Sequence, residues 1–113
     1  MPCIFCEIAA GRQQADIVYE DESVVAFRDV VPQAPTHILV IPREHIDGPL
    51  AVGDAHEAVI GHMVAVAGKV ARQVGIANDG YRLVLNQGRD GGQSVFHIHL
   101  HVLGGRRMTW PPG

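Results

Sequence analysis

The sequence predicts a small α+β domain: a five-stranded, mainly antiparallel sheet covered on one face by a long helix, with a short helix at the N-terminus. Three observations predict this fold class. Five short segments have the character of strands, and one long segment has the apolar spacing of a helix. The length of 113 residues suits one core and is too short for two, so residues 1–113 should form a single domain.

The predicted strands are short segments rich in Val, Ile and Leu that end at turn residues or prolines. In chain order they are residues 17–20, 23–29, 36–41, 81–86 and 96–103. The first two are joined by the tight turn Asp21-Glu22 and should form a hairpin. The third is almost continuously apolar, as expected in the middle of a sheet. The last two flank the glycine-rich residues 87–94, which are predicted to be a loop, so these strands should pair antiparallel.

Two segments have helical character. Residues 3–10 are predicted to form the short helix, and the long helix should begin at the capping residue Asp54 and end at Gly75. Its apolar stripe consists of Val59, Ile60, Met63, Ala67, Val70, Ala71 and Val74. Gly61 and Gly68 each cost about 1 kcal/mol relative to Ala inside a helix. Their presence indicates close packing against the sheet or, alternatively, simple tolerance.

The composition limits the classes of partner. A net charge of −3 provides no broad basic surface, so no nucleic-acid partner is expected. No apolar run approaches the length of a membrane span, and the chain does not begin with a basic segment followed by an apolar core. We therefore expect a cytoplasmic protein with no membrane partner.

Three histidines alternate with apolar residues in the fifth predicted strand. On a regular strand His97, His99 and His101 share one face. The opposite face, which should pack in the core, consists of Phe96, Ile98, Leu100 and Val102. Residues four apart on a strand are separated by about 13 Å, whereas zinc lies only about 2 Å from a nitrogen ligand. One ion therefore cannot easily bind all three side chains, and we expect the imidazoles to have different roles.

The middle histidine is the best candidate for a nucleophile. An imidazole with an unperturbed pKa of about 6.5 keeps an unprotonated nitrogen at neutral pH. His99 is therefore expected to attack a phosphorus or acyl centre, forming a covalent intermediate that water resolves. His101 could hold an anionic oxygen or protonate the leaving group. Just upstream, Gly91, Gly92 and Ser94 offer backbone N–H groups and a hydroxyl to a phosphate.

Both cysteines lie in the motif Cys3-Ile4-Phe5-Cys6. In a reducing compartment this spacing is typical of half a metal site or of a redox pair, and the absence of a surrounding βαβ pattern disfavours the redox pair. Tetrahedral zinc needs two further ligands, for which His45 and His97 are candidates if the N-terminal helix packs beside them. The alternative is a pair of free cysteines.

The segment His97-Ile98-His99-Leu100-His101-Val102-Leu103 resembles the signature of the histidine triad (HIT) family, in which three histidines alternate with apolar residues. Residues 29–37, 90–96 and 104–113 are similar to its Hint branch, the purine nucleoside phosphoramidases, so the likeness runs nearly end to end. The resemblance implies a homodimer whose two sheets join into one of ten strands. It also implies hydrolysis of the P–N bond of AMP-type phosphoramidates, or of aminoacyl adenylates, through a nucleotidylated His99.

The resemblance also assigns binding residues. It places the base among Phe5, Ile8, Phe27 and Val30. It places the phosphate among Asn86, Gly92, Ser94 and His101. Asp29 would bind the ribose hydroxyls, His37 would lie behind the nucleophile, and Trp110 would lie near the partner protomer's site on the leaving-group side. The catalytic set that follows is His37, Ser94, His99 and His101.

The cysteine pair is a departure from the best-known Hint proteins of animals, which lack it. HIT relatives that bind structural zinc use two cysteines and two histidines, which correspond by position to Cys3, Cys6, His45 and His97. Two roles therefore stay open for the two histidines, in the metal site or in the active site. Purine nucleoside monophosphates are expected as products, and an apolar slot accepts adenine or guanine. The alternatives are a nucleotide-binding regulatory or scaffold protein with little turnover, or a metal-binding protein whose triad holds a second ion.

Overall fold

A computed structural model describes residues 3–113. The helices, in chain order, are α1 (Ile4–Ala9), α2 (Glu57–Val74) and α3 (Gly88–Gly91), and short 3₁₀ turns span Pro49–Ala51 and Asp54–His56. The strands are β1 (Ile17–Glu20), β2 (Val24–Arg28), β3 (Thr36–Pro42), β4 (Tyr81–Val84) and β5 (Leu100–Gly104). They form one sheet in the order β1-β2-β3-β5-β4 with every neighbouring pair antiparallel, which confirms the predicted fold class.

The central position of β3 follows from its composition. Its residues from His37 onward are buried, and it pairs with β2 on one side and β5 on the other. The register places Phe27 opposite Leu39 and Leu39 opposite His101. Directly opposed residues share a face of the sheet. One row across three strands therefore runs from an aromatic ring to a histidine.

The two faces of the sheet bury separate apolar clusters. On one face α2 packs its residues Met63, Val66, Ala67, Val70 and Ala71 against the strands. On the other face α1 covers part of the sheet with Phe5 and Ile8, which pack with Phe27, Leu39 and Ile41. The sequence predicted the helix-covered face, and the second cluster under α1 creates one wall of the cavity described below.

The long helix differs from the prediction at its start and at one glycine. It begins at Glu57 after the 3₁₀ turn, so Asp54 is not its cap, and it ends as predicted at Gly75, which has a φ of 83°. A Cβ built on Gly61 meets nothing within 4 Å, and one built on Gly68 meets only side-chain ends at 3.8 Å or more. The interpretation as close packing against the sheet is therefore wrong, and tolerance explains both. No helix in residues 3–113 is long and apolar enough to span a bilayer.

The predicted histidine strand is wrong in its first half. Regular pairing begins only at Leu100, and Phe96 is 56% exposed instead of packing in the core. The backbone N–H of Ile98 donates to the carbonyl of Ile46 at 2.6 Å, and the ring of His97 donates to the carbonyl of Pro42 at 2.8 Å. These bonds attach His97 and Ile98 to the last residue of β3 and to the segment that follows it.

The glycine-rich segment before the histidines is only partly a loop. Residues 88–91 form the helical turn α3, which Gly88 and Gly92 bracket with φ values of 72° and 83°. Glycine adopts this left-handed region without steric cost. The glycines therefore begin and end the turn instead of preventing it, and β4 ends two residues earlier than predicted, at Val84.

Candidate functional site

A cavity of about 370 Å³ opens on the face of the sheet that carries α1. Its apolar wall consists of Ile4, Phe5, Ile8, Ala15, Phe27, Val30, Leu39 and Val95. Its polar lining consists of Gln13, Gln14, Arg28, Asp29, Ser94, His99 and His101. An apolar slot with a few converging polar groups is the usual form of a small-molecule site.

Aromatic contacts shape the inner end of this cavity. The Phe5 ring meets the Phe27 ring edge-on with 5.4 Å between centroids, and it meets His99 edge-on at 5.1 Å. Edge-to-face packing at these distances is the favoured arrangement of aromatic pairs. Phe5 therefore fixes the plane of His99 as well as forming a wall.

The tautomer of His99 follows from its one hydrogen bond to the protein. Its side chain is buried, and Nδ1 lies 2.8 Å from the carbonyl oxygen of His97. A carbonyl only accepts, so Nδ1 carries the proton. In neutral imidazole the other nitrogen, Nε2, then carries the lone pair. That nitrogen has no hydrogen-bond partner among residues 3–113, which is the state that a nucleophile requires.

A chain of hydrogen bonds sets the tautomers of His37 and His101 in the same way. The backbone N–H of Gln33 donates to His37 Nδ1 at 3.0 Å, so the proton of His37 lies on Nε2. That proton points at His101 Nδ1, 2.9 Å away, with Asp29 Oδ2 at 3.4 Å. His101 Nδ1 is therefore an acceptor, and Nε2 of His101 carries the N–H. The ring of His101 lies 4.9 Å from that of His99.

Burial and neighbouring imidazoles keep His101 neutral. Removal from water, followed by the nearby rings of His99 and His37, lowers the pKa of His101 to about 4, although Asp29 opposes the shift. Burial also lowers the pKa of His37. At neutral pH both rings are therefore uncharged. The chain of hydrogen bonds from Gln33 through His37 to His101, here called the relay, ends in the N–H on Nε2 of His101.

A second cluster of side chains lies where the N-terminal cysteines meet two histidines from later in the chain. The ligand atoms of Cys3, Cys6, His45 and His97 all lie within 4.8 Å of one another. His97 Nδ1 is 3.4 Å from Cys3 Sγ and 3.5 Å from Cys6 Sγ. His45 Nδ1 is 3.3 Å from Cys6 Sγ.

These distances fit a tetrahedral metal ion. With Zn–S bonds of about 2.3 Å and Zn–N bonds of about 2.0–2.1 Å, tetrahedral geometry separates sulfur from nitrogen by about 3.6 Å. The ring nitrogens away from the cysteines also have partners, since His97 Nε2 donates to the carbonyl of Pro42 at 2.8 Å and His45 Nε2 donates to Asp47 at 2.7 Å. Both Nδ1 atoms are therefore free to bind a metal. A ring that donates to a protein acceptor through its other nitrogen is typical of metal-binding histidines.

The structure gathers most of the residues that the sequence suggested. The predicted residues that line the cavity are Phe5, Ile8, Phe27, Asp29, Val30, Ser94, His99 and His101. His37 lies behind His101, and His97 faces the cysteines instead of the cavity. Asn86, Gly92 and Trp110 are not among the lining residues, and Trp110 is 81% exposed.

Several lining residues were not predicted. Leu39 reaches the site because the sheet register places it between Phe27 and His101, and the sequence does not show the register. Gln13, Gln14 and Ala15 follow α1 in a segment without a recognisable pattern. Val95 follows the predicted Ser94 directly, and that adjacency was the one available signal.

Fold and site together define a class: an antiparallel α+β domain with a cavity-lining histidine whose Nε2 has no partner in residues 3–113, a neutral histidine donor beside it and a neighbouring metal-type cluster. The chain belongs to the HIT domain family, which matches residues 10–108. The resemblance to this family and to its Hint branch is thereby confirmed.

Individual relatives cover nearly all of the chain. It is 54% identical over 105 residues to the purine nucleoside phosphoramidase of Escherichia coli K12, covering 93% of this chain and 88% of that protein. It is 50% identical over 114 residues to the 14 kDa zinc-binding protein of Zea mays, with 99% and 88% covered. The crystal structure of a HIT family hydrolase from Legionella pneumophila Philadelphia 1 superposes with a TM-score of 0.96 at 50% identity, covering 99% of this chain and all of that one.

Proposed function

We propose that this protein is a nucleotide-binding hydrolase that uses His99 to cleave the P–N bond of purine nucleoside phosphoramidates or the acyl–phosphate bond of aminoacyl adenylates. The observation that carries the proposal is the pair of fixed tautomers at the cavity. His99 offers a lone pair on Nε2, and His101 beside it offers an N–H. The phosphoramidase relative supports the same reaction class.

The cavity has suitable parts for a nucleoside monophosphate. Phe5, Ile8 and Phe27 form the apolar slot for a purine, which enters by burial and ring contact without selecting adenine or guanine. The Asp29 carboxylate accepts the N–H of Val31 at 2.9 Å, which holds it at the cavity wall to accept a ribose hydroxyl. The phosphate then lies beside His99, His101 and Ser94.

In the first step, His99 Nε2 forms a bond to phosphorus while the P–N bond to the amine breaks. The amine nitrogen leaves with the bonding electron pair and takes up one proton, which exposed Ser94 relays from solvent. The carbonyl of His97 stabilises the positive charge on the nucleotidylated ring through the Nδ1–H bond. His101 donates its N–H to a non-bridging phosphoryl oxygen and stabilises the developing negative charge.

In the second step, water attacks phosphorus and the P–Nε2 bond breaks. The electron pair returns to His99, and the proton released by the water replaces the one consumed in the first step. The sum is substrate plus water giving amine plus nucleoside monophosphate. An aminoacyl adenylate reacts in the same way, with a carboxylate as the leaving group.

The cluster of Cys3, Cys6, His45 and His97 fits a structural zinc ion by its donor set and distances, and the zinc-binding maize relative supports that assignment. A bound zinc ion would supply a crosslink between the N-terminus and His97. This crosslink would hold α1, and with it Phe5 and Ile8, at the cavity.

The functional assembly in this proposal is a homodimer. β1 and β4 are the two edges of the sheet, and an edge strand offers unpaired backbone groups to a second copy. The exposed Trp110 lies in the C-terminal segment that would approach the partner's cavity.

The deciding experiment is amine release from an adenosine phosphoramidate. His99→Ala is expected to lower kcat by at least about 100-fold, because no other group supplies the attacking lone pair. His56→Ala is the matched control, since His56 is half-buried beside Glu44 and does not line the cavity. Full activity in His99→Ala would refute the nucleophile. Tight AMP binding by wild type without amine release would favour the regulatory or scaffold role instead.

A further inference from the structure

Residues 45–50, here called the bridge segment, lie between the metal-type cluster and the loop beside the phosphate position. The segment begins with His45, a member of the cluster. Its other end contacts residues 87–95, here called the phosphate loop. This contact has no role in the reaction derived above, and the side chains of Gln87 and Gln93 make hydrogen bonds across it.

Gln93 is the main connection between the two segments. Its side chain is only 6% exposed and uses both ends of the amide. Its Oε1 accepts the backbone N–H of Gly88 at 2.8 Å, and its Nε2 donates to the carbonyls of Asp47 at 2.6 Å and Val95 at 3.1 Å. One buried amide therefore fixes both ends of the phosphate loop and attaches it to the bridge segment.

A second glutamine strengthens the contact. Gln87 Oε1 accepts the backbone N–H of Leu50 at 2.7 Å. Both amides lie against Gly48, where a Cβ would come within 2.8 Å of Gln87 Oε1 and within 3.0 Å of the Gln93 amide. The glycine at this position permits the close approach of the loop.

The same bridge segment holds a metal ligand. Asp47 accepts from His45 Nε2 through its side chain and from Gln93 through its carbonyl. The carbonyl of Ile46 accepts the N–H of Ile98, next to His97. His45 and Gln93 are therefore connected through a single residue, Asp47.

We infer that zinc binding at the cysteine–histidine cluster and nucleotide phosphate binding at the cavity are thermodynamically coupled, with Gln93 as the positioning residue that links them. This inference rests on the proposed function, because it takes its nucleotide and zinc as ligands. A bound zinc ion would hold His45 and, through its hydrogen bond, Asp47. Asp47 would in turn hold Gln93 and hence the phosphate loop. Coupling is reciprocal, so AMP must raise the affinity for zinc by the factor by which zinc raises the affinity for AMP.

The test measures zinc affinity by equilibrium competition between the loaded protein and a chelator, with and without saturating AMP. AMP is expected to tighten zinc binding by about tenfold in wild type, within the usual range of allosteric coupling. Gln93→Leu should reduce this factor to about one, because the hydrogen bonds of the side-chain amide are lost. The matched control is Gln73→Leu, which removes a similar hydrogen bond from α2 to the Val18 carbonyl in β1 and should keep the wild-type factor.

Each outcome has a distinct meaning. Coupling through overall unfolding would survive Gln93→Leu, so an unchanged factor in that variant would overturn the role of Gln93. A factor of one in wild type, with both ligands still bound, would overturn the coupling and leave the proposed function intact. Absence of AMP binding or of zinc binding in wild type would contradict the proposed function itself.

A second variant guards against misfolding. Gln93→Met fills nearly the same space with an unbranched side chain and loses the donor to Asp47, so it should fold and still lower the factor. If it keeps the full tenfold effect, the Asp47 bond is not the link and the inference fails.

Discussion

Two clusters of potential metal ligands lie at opposite ends of the histidine segment and differ in their hydrogen bonds. One contains Cys3, Cys6, His45 and His97, and the other contains Asp29, His37 and His101. In both, the ligand atoms lie within 4.8 Å of one another. Spacing alone therefore does not separate a metal site from a proton-donating site.

The two clusters differ in which ring nitrogens of their histidines already have hydrogen-bond partners. His97 and His45 donate outward to Pro42 and Asp47, which leaves their lone pairs facing the thiols. In the second cluster the lone pairs of His37 and His101 are already occupied by N–H donors. The first cluster therefore presents lone pairs to a cation, and the second presents an N–H to an anion.

The surroundings add to this contrast. The hydrogen bond to Asp47 raises the pKa of His45, which makes its ring a more basic ligand. Burial among other imidazoles instead lowers the pKa of His101. The pKa of His45 is thus set mainly by an exposed carboxylate, and the pKa of His101 mainly by removal from water.

The largest expected effect separates the clusters by metal content. Cys6→Ser should lose the bound zinc and lower the free energy of unfolding by several kcal/mol, on the order of 3 or more, because structural zinc contributes directly to folding. Asp29→Asn, in the second cluster, should keep one zinc per chain. Elemental analysis and urea denaturation measure both. Zinc loss in Asp29→Asn would show that the ion binds at the cavity instead.

The next effect concerns the relay. His37→Phe removes the donor that holds Nδ1 of His101 as an acceptor, so the His101 N–H no longer has a fixed position. We expect kcat to fall by about 100-fold, the lower end of the range for losing one donor to the charge that develops in the transition state, with zinc content unchanged. Steady-state kinetics on an adenosine phosphoramidate provide the readout. A kcat equal to that of wild type would mean that the relay has no part in turnover.

A smaller effect tests the outer partner of the metal cluster. Asp47→Ala removes the acceptor of His45 Nε2 and should weaken zinc binding by about 10- to 100-fold, the usual effect of losing such a partner. Glu44→Ala is the matched control, because Glu44 is an exposed neighbour that pairs with His56. Chelator competition measures both affinities. Equal affinities would place the orientation of His45 under some other control.

The sequence predicted that the three histidines have different roles, but not the hydrogen bonds that distinguish their side chains. Side-chain spacing showed that His97 and His101 could not easily share an ion, and the cysteine motif indicated where His97 would go. The atoms that fix the tautomers are mostly backbone groups, such as the carbonyl of Pro42 and the N–H of Gln33. Any residue type supplies such groups, so no sequence pattern marks them.

The break in the predicted histidine strand has a similar cause. Alternation of residue types predicted a strand from Phe96, yet His97 and Ile98 bond to Pro42 at the end of β3 and to Ile46 beyond it. The alternation survives because Ile98 and Leu100 are still buried, but burial there does not require regular pairing. Leu39 was missed for a related reason, since its place between Phe27 and His101 depends on sheet register.

The smallest expected effect is the pH dependence that the neutral cluster imposes on stability. The pKa of His101 is about 4 in the folded protein and about 6.5 in the unfolded chain, so between these values the unfolded state binds one more proton. The free energy of unfolding should therefore fall as pH decreases from about 6.5 to about 4. The groups facing His101 are His37, His99 and Asp29, and burial of His37 acts in the same direction.

His101→Asn should reduce the fall by about 1 kcal/mol after allowance for solvent screening. Urea denaturation at several pH values, with zinc in excess for both proteins, measures the two slopes. Identical slopes would mean that His101 is not kept neutral by its surroundings, and the contrast with His45 would then rest on hydrogen bonds alone.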